Sequence, residues 1–276
     1  MIDAHQHYWQ IGKNGHEWPT ADMATIHRDY LPDDWAAVAA PLGIGGSIAV
    51  QSQANDADTD WLLTLAQGTP SILGVVGWTE LKAPDAAAAV RALAARPKLK
   101  GLRPMLQNLA DDNWIADPAL DPAIAAMVEC RLRFDALVFT RHLPPLRRFA
   151  ERWSDLPIVV DHGAKPPIAA REIDEWRREM TSLAALPNVC CKLSGLFTEM
   201  SAGQPRFDVQ PYIHFLLGTF GPNRLMWGSD WPVLLLAGEY REWFDTAAAM
   251  TGLDRAGQAM LFGGTAARFY GVADSD

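Results

Sequence analysis

Met1-Ile2-Asp3-Ala4-His5-Gln6-His7 opens the chain. It reads as a short, mostly apolar strand that runs into His-x-His. Residues two apart on a strand point to the same face. The spacing therefore predicts His5 and His7 projecting together from the strand's C-terminal end, with Asp3 below them. Two imidazoles converging at a strand end suit metal ligation or proton transfer. Two surface histidines near a frayed terminus would give the same pattern, so the reading depends on the rest of the chain.

Three later runs repeat the design. Leu156-Pro157-Ile158-Val159-Val160-Asp161-His162-Gly163-Ala164-Lys165-Pro166 is an apolar run ending in Asp161-His162, then breaks at Gly and Pro. Val189-Cys190-Cys191-Lys192-Leu193-Ser194-Gly195 carries Lys192 near its end, and Leu225-Met226-Trp227-Gly228-Ser229-Asp230-Trp231-Pro232 reaches Asp230. Each reads as a short buried strand closed by Gly or Pro, with an ionisable residue at or near its C-terminal end. In parallel α/β proteins that end is where ligands bind and chemistry occurs.

The set D-A-H-Q-H, D-H-G-A-K-P and W-G-S-D-W-P resembles the amidohydrolase superfamily, and most closely its lactonase branch. The resemblance runs from Met1 to about Tyr270. It implies a distorted (β/α)8, TIM-like barrel and hydrolysis of a sugar-acid lactone.

The bulk properties agree. The 276 residues suit one α/β barrel of about 250 residues, and residues 1–276 are expected to form a single domain. A net charge of −9, from 24 basic and 33 acidic residues, argues against nucleic acid or an anionic membrane as the main partner. No apolar stretch approaches the roughly 20 residues of a membrane span, and no signal peptide is expected ahead of the first strand. The expected location is cytoplasmic. Cys130, Cys190 and Cys191 are odd in number and lack C-x-x-C spacing, so they read as small buried residues rather than a disulfide framework.

Further strands are expected over Ile44–Gln53, Ile72–Val76, Leu99–Arg103 and Leu132–Val138, giving eight in all. Helices are expected over Asp85–Ala95, from Asp121-Pro122, over Ile168–Ala185 and over Asp254–Tyr270. This alternation fits a barrel or an open doubly wound sheet. The resemblance and the scatter of polar strand ends favour the barrel.

Lactone hydrolysis needs an activated water, a polarised carbonyl and a protonated leaving alkoxide. Asp230 is the candidate general base, read as sharing a strand face with Gly228 and Met226; capping of the Trp231-Pro232 turn is its structural alternative. His162 would orient the water or share its proton. His5 and His7 would donate to substrate oxygens or, with Asp230, hold a metal. Arg103, Lys192, His27, Gln51 and Lys165 are candidate substrate contacts, with salt bridging or solvation as the alternative for the cations. Gln53, His16 and His142 are weaker candidates. Trp9, Trp78, Trp227 and Trp231 lie near strand ends, where aromatic faces could pack on sugar CH groups.

The superfamily usually adds a histidine at the end of the fifth strand and often a lysine or glutamate on the fourth, and the sequence departs from that pattern at both. Its fifth strand, Arg133-Phe134-Asp135-Ala136-Leu137-Val138, lacks the usual histidine. The fourth ends in Arg103, which stays protonated and cannot ligate a metal. Two histidines and a carboxylate can make a catalytic zinc site. A lactone, though, is more reactive than an amide and needs less polarisation. The expectation is a reaction with no required cofactor, with zinc able to occupy the site. The competing readings are a zinc-dependent amidohydrolase or decarboxylase, a lactonase for carboxylated aromatic-breakdown lactones using Arg103 and Arg141, and a non-catalytic binding protein. The substrate partner is a small lactone, and the chain is expected to be a monomer or homodimer.

Overall fold

The computed structural model describes residues 1–272. Eight parallel strands form one sheet in sequence order: β1 (Ile2–Gln6), β2 (Gly46–Val50), β3 (Ile72–Gly77), β4 (Leu99–Leu102), β5 (Arg133–Ala136), β6 (Ile158–Val160), β7 (Val189–Leu193) and β8 (Leu225–Trp227). Seven lie within the expected apolar runs, and β3 extends one residue past Ile72–Val76, to Gly77. These runs are nearly continuous in apolar residues because the interior covers one face and helices cover the other.

The crossover helices are α1 (Pro32–Ala39), α2 (Asp56–Gly68), α3 (Ala86–Ala94), α4 (Asp121–Glu129), α5 (Leu143–Arg152), α6 (Asp174–Ala184), α7 (Gln210–Phe220) and α8 (Tyr240–Thr251). Two helices differ from expectation. α6 starts at Asp174 rather than Ile168, because Pro166-Pro167 leads into a turn in which Ile168 N–H donates to Pro166 O. The final helix is broken into α9 (Arg255–Ala259), a wide π-type turn (Met260–Gly264) and α10 (Thr265–Tyr270). Gly263 leaves helical geometry there, with φ 174° and ψ −56°. No described helix is long and apolar enough to cross a membrane.

The barrel closes just beyond the end of β8. Gln6 bridges to Trp231, His7 N–H donates to Trp231 O at 2.7 Å, and Asp230 N–H donates to His5 O at 2.8 Å. The seam thus sets Asp230 beside the His-x-His pair.

A register shift between Asp3 and Gln6 interrupts the pairing of β1 with β2. Its effect is to send Asp3 and His5 to opposite sides of the sheet. Bulges of this kind are common at barrel rims and re-aim side chains there. Asp3 therefore does not lie below His5 on one face. It faces the helices, where it accepts hydrogen bonds from Trp35 Nε1 (3.2 Å), Tyr240 OH (2.9 Å) and Ser229 Oγ (2.6 Å). His5 turns into the barrel.

The barrel interior is layered. Ile2, Ala4, Ile48, Val50, Val76, Val159 and Met226 form an apolar plug with Ala266 and Tyr270 of α10. Against it lies a layer of buried charge, and beyond that the imidazoles.

Candidate active site

The charged layer consists of Lys192, Asp135, Asp161 and Arg103, none more than 3% exposed. Lys192 Nζ lies 2.6 Å from Asp135 Oδ2, 3.0 Å from Asp161 Oδ1 and 3.1 Å from His5 Nδ1. Tyr270 OH donates to Asp135 at 2.7 Å. Arg103 reaches Asp161 Oδ2 at 3.4 Å and donates to Gln51 O. Burial pushes the Asp135 carboxyl up, with Lys192 opposing it. Burial also acts on Asp161, but Lys192, His5 and Arg103 outweigh it and hold that carboxyl well below the ordinary range. A buried ion cluster of this kind tolerates no loss of a single partner.

Above it, three histidines and one carboxylate converge. His5 Nε2 is 3.2 Å from His7 Nε2 and 3.7 Å from Asp230 Oδ1. His7 Nε2 is 3.3 Å and His162 Nε2 3.9 Å from the same oxygen. His7 Nδ1 sits 2.8 Å from Val50 O, and His162 Nδ1 sits 2.9 Å from Ser194 Oγ. Burial lowers the His162 imidazole to about 4 and the His5 imidazole well below its usual value, the latter helped by the Lys192 ammonium. Both rings are therefore neutral near pH 7. Burial alone would raise Asp230, but the nearby His162, His7 and His5 outweigh it and hold it ionised.

Neither His162 nor Asp230 reaches this position as a strand residue. β6 ends at Val160 and β8 at Trp227. His162 has φ 54° and Asp230 φ 59°, as left-handed turn residues; Ala164 and Lys165 share that conformation at 61° and 48°. Such backbone costs of order 1–3 kcal/mol per residue and tends to mark functional sites. The turns are held from outside by indoles: Trp176 Nε1 donates to Gly163 O and Trp243 Nε1 to Gly228 O. Gly195 is required by close approach, since a Cβ there would lie 2.6 Å from His162 Nδ1, and its φ is +62°.

A cavity of about 360 Å³ opens above these groups. His7, His162, Asp230, Arg103 and Lys165 line it. His5 is fully buried beneath His7. Three of the proposed substrate contacts lie apart from the cavity. Lys192 is locked in the charged layer. Gln51 turns inward, and its amide donates to Arg103 O. His27 stands on the first loop, its ring 6.2 Å from that of His16. Lys165 faces the cavity and approaches Glu199 at 3.6 Å. Gln53 Oε1 accepts from Glu17 and Trp18 N–H at 2.9 and 3.1 Å, tethering the loop that forms one wall. Trp18, rather than any of the four tryptophans near strand ends, supplies the indole there. The Met105–Asn108 segment forms another wall. Asp135 and Asp161 go beyond the sequence reading; an acid within or just after an otherwise apolar strand is the signal that points to them.

Among the described residues, His5, His7 and Asp230 form one group able to hold a metal, and His5, Asp161 and His162 another. Tetrahedral zinc with bonds near 2.0–2.1 Å sets ligand atoms about 3.3 Å apart. The 3.2, 3.3 and 3.7 Å separations of the first group match that spacing.

A family model described as Amidohydrolase matches residues 2–272. The chain belongs to the amidohydrolase family. It is 46% identical over 278 residues to an L-fucono-1,5-lactonase of Burkholderia ambifaria, covering 98% of this chain and 95% of that one. It is 39% identical to an L-fucono-1,5-lactonase of Burkholderia multivorans, covering 99% and 96%. A crystal structure of an amidohydrolase from Burkholderia multivorans with bound zinc superposes with a TM-score of 0.92 at 39% identity, covering 99% of both chains.

Proposed function

We propose that this amidohydrolase opens a neutral sugar-acid lactone, an aldono-1,4- or 1,5-lactone of the L-fucono or L-rhamnono type, by water attack at the ester carbonyl. The observation that carries this reading is an ionised Asp230 facing a cavity beside the neutral imidazole of His162. The two lactonase relatives support the substrate class.

Asp230 takes a proton from water as the water oxygen bonds to the carbonyl carbon. His162, with Nε2 turned toward Asp230 and Nδ1 toward Ser194, orients that water. His7 and Arg103 border the space where the carbonyl oxygen gains charge. The ring C–O bond then breaks, and the leaving alkoxide takes back the proton held at Asp230. The product is the open hydroxy acid. A positioned base of this kind contributes about 10²–10⁴-fold.

His5, His7 and Asp230 are the residues that would hold zinc. Bound there, it would supply Lewis-acid polarisation of the carbonyl and a more acidic water. We infer that the reaction does not require it, because the ionised base is already in place and a lactone carbonyl is reactive.

The cavity also favours a neutral substrate over a carboxylated one. Arg103 is engaged by Asp161 and Gln51 O, and Arg141 pairs with Asp112 at 2.9 Å outside the cavity. Acid release from a panel of neutral aldonolactones and carboxylated lactones tests this. Turnover confined to the carboxylated set would overturn it.

A further inference from the structure

His5 and His7 are alike in distance to Asp230 but not in what lies behind them. His7 Nδ1 faces the carbonyl oxygen of Val50 at 2.8 Å. A carbonyl only accepts, so Nδ1 carries the proton and Nε2 presents its lone pair to the site. Imidazoles that ligate metals are usually held this way. His5 Nδ1 faces Lys192 Nζ at 3.1 Å. An ammonium only donates. The lone pair of His5 is therefore on Nδ1 and its proton on Nε2. That N–H points at two acceptors, His7 Nε2 at 3.2 Å and Asp230 Oδ1 at 3.7 Å. The competing partner for a proton on Nδ1 is Asp161 Oδ1, but it is farther, at 3.4 Å, and is itself 3.0 Å from Lys192.

We propose that Lys192 sets the tautomer of His5, holding it as an Nε2–H donor and so making the His5–His7–Asp230 group a weak zinc site despite its fitting distances. Lys192 is a positioning residue here and does not touch substrate. For zinc to bind, the His5 proton must move from Nε2 to Nδ1, where it meets an N–H of Lys192. The buried pair Asp135 and Asp161 keeps the ammonium in place, and Tyr270 closes the layer from below with its ring 5.6 Å from Nζ. The proposal concerns the resting protein and stands whichever lactone is the substrate.

Two measurements test it. Long-range proton–nitrogen correlation spectra of metal-stripped, ¹⁵N-histidine-labelled protein report the tautomer of each ring, with His5 assigned by its loss in His5→Gln. The expected result is Nε2–H for His5 and Nδ1–H for His7. Nδ1–H at His5 would overturn the proposal. The second measurement is zinc affinity by titration calorimetry in wild type and in Lys192→Met/Asp135→Asn, which removes the ammonium together with one of its two buried counter-charges. Zinc should bind at least about tenfold more tightly in the variant, the scale of effect that partners behind a ligand exert, and its His5 should shift to Nδ1–H toward Asp161. Unchanged zinc affinity in a folded variant would overturn the proposal. Should the variant fail to fold, the wild-type spectrum alone decides.

Discussion

Replacing Asp3 by asparagine keeps the side chain's shape but removes its charge and turns one oxygen into a donor. Asp3 is fully buried and accepts five hydrogen bonds. Oδ1 takes His5 N–H (3.2 Å) and Ser229 N–H (2.8 Å), while Oδ2 takes Trp35 Nε1, Ser229 Oγ and Tyr240 OH. An asparagine serves the two backbone donors best with its carbonyl in the place of Oδ1. Its NH2 then faces two hydroxyls, which can turn to accept, and one indole N–H, which cannot. One orphaned buried donor costs about 1–3 kcal/mol. At roughly 2–4 °C per kcal/mol for a chain of this size, the unfolding midpoint should fall by about 2–12 °C. Asp3→Ala strands three donors that can never accept: two backbone N–H groups and the indole. The loss is then about 3–9 kcal/mol, comparable to the whole stability of a typical domain. Thermal unfolding followed by circular dichroism measures both. In a Trp35→Phe background the asparagine substitution should cost much less, since its orphaned donor is gone. An unchanged midpoint for Asp3→Asn, or equal losses for asparagine and alanine, would refute this account of the seam.

Asp58 predicts a pH dependence. Its carboxyl accepts from Ser52 and Gln53 N–H, and burial pushes it up to about 6 from 3.8. The folded state binds this proton more tightly than the unfolded state, so stability from this group is greatest below pH 4 and falls as pH rises toward 6, by about 3 kcal/mol. Asp58→Asn should flatten that part of the stability profile in denaturant titrations across this range, and an unaltered slope would count against the assignment. Gly195→Ala should lower kcat by roughly tenfold or more while the protein stays folded, because its Cβ would press on His162 and its φ is left-handed, at a cost of about 1–2 kcal/mol. Wild-type kcat in that variant would mean that the position of His162 is not needed.

All eight strands could be read from the sequence because buried parallel strands are continuous apolar runs, and Gly or Pro closes them. The polar residues at their ends were equally visible. Side-chain direction was not. Strict alternation puts Asp3 beneath His5, and the register shift in β1, which nothing in Ile2–Gln6 announces, sends it to the opposite side. Alternation puts Asp230 in register with Gly228 and Met226, yet it reaches the site through a left-handed turn beyond the strand. The inward aim of Lys192 depended on a register known only to within a residue or two, and Asp135 and Asp161 became visible as its partners only once the sheet fixed all three. The cavity walls at Glu17–Trp18 and Met105–Asn108 belong to irregular segments, where no periodicity tells which side chain faces inward.

The central claim is that the Asp230 carboxylate performs the proton transfer without a required metal. The direct measurement is turnover of an aldono-1,5-lactone, followed as acid release, by chelator-stripped wild type and Asp230→Asn, each with and without added zinc. Stripped wild type should turn over, and Asp230→Asn should lose about 10²–10⁴-fold in kcat, with added zinc changing neither rate appreciably. Stripped wild type that is inactive until zinc is added would contradict the claim.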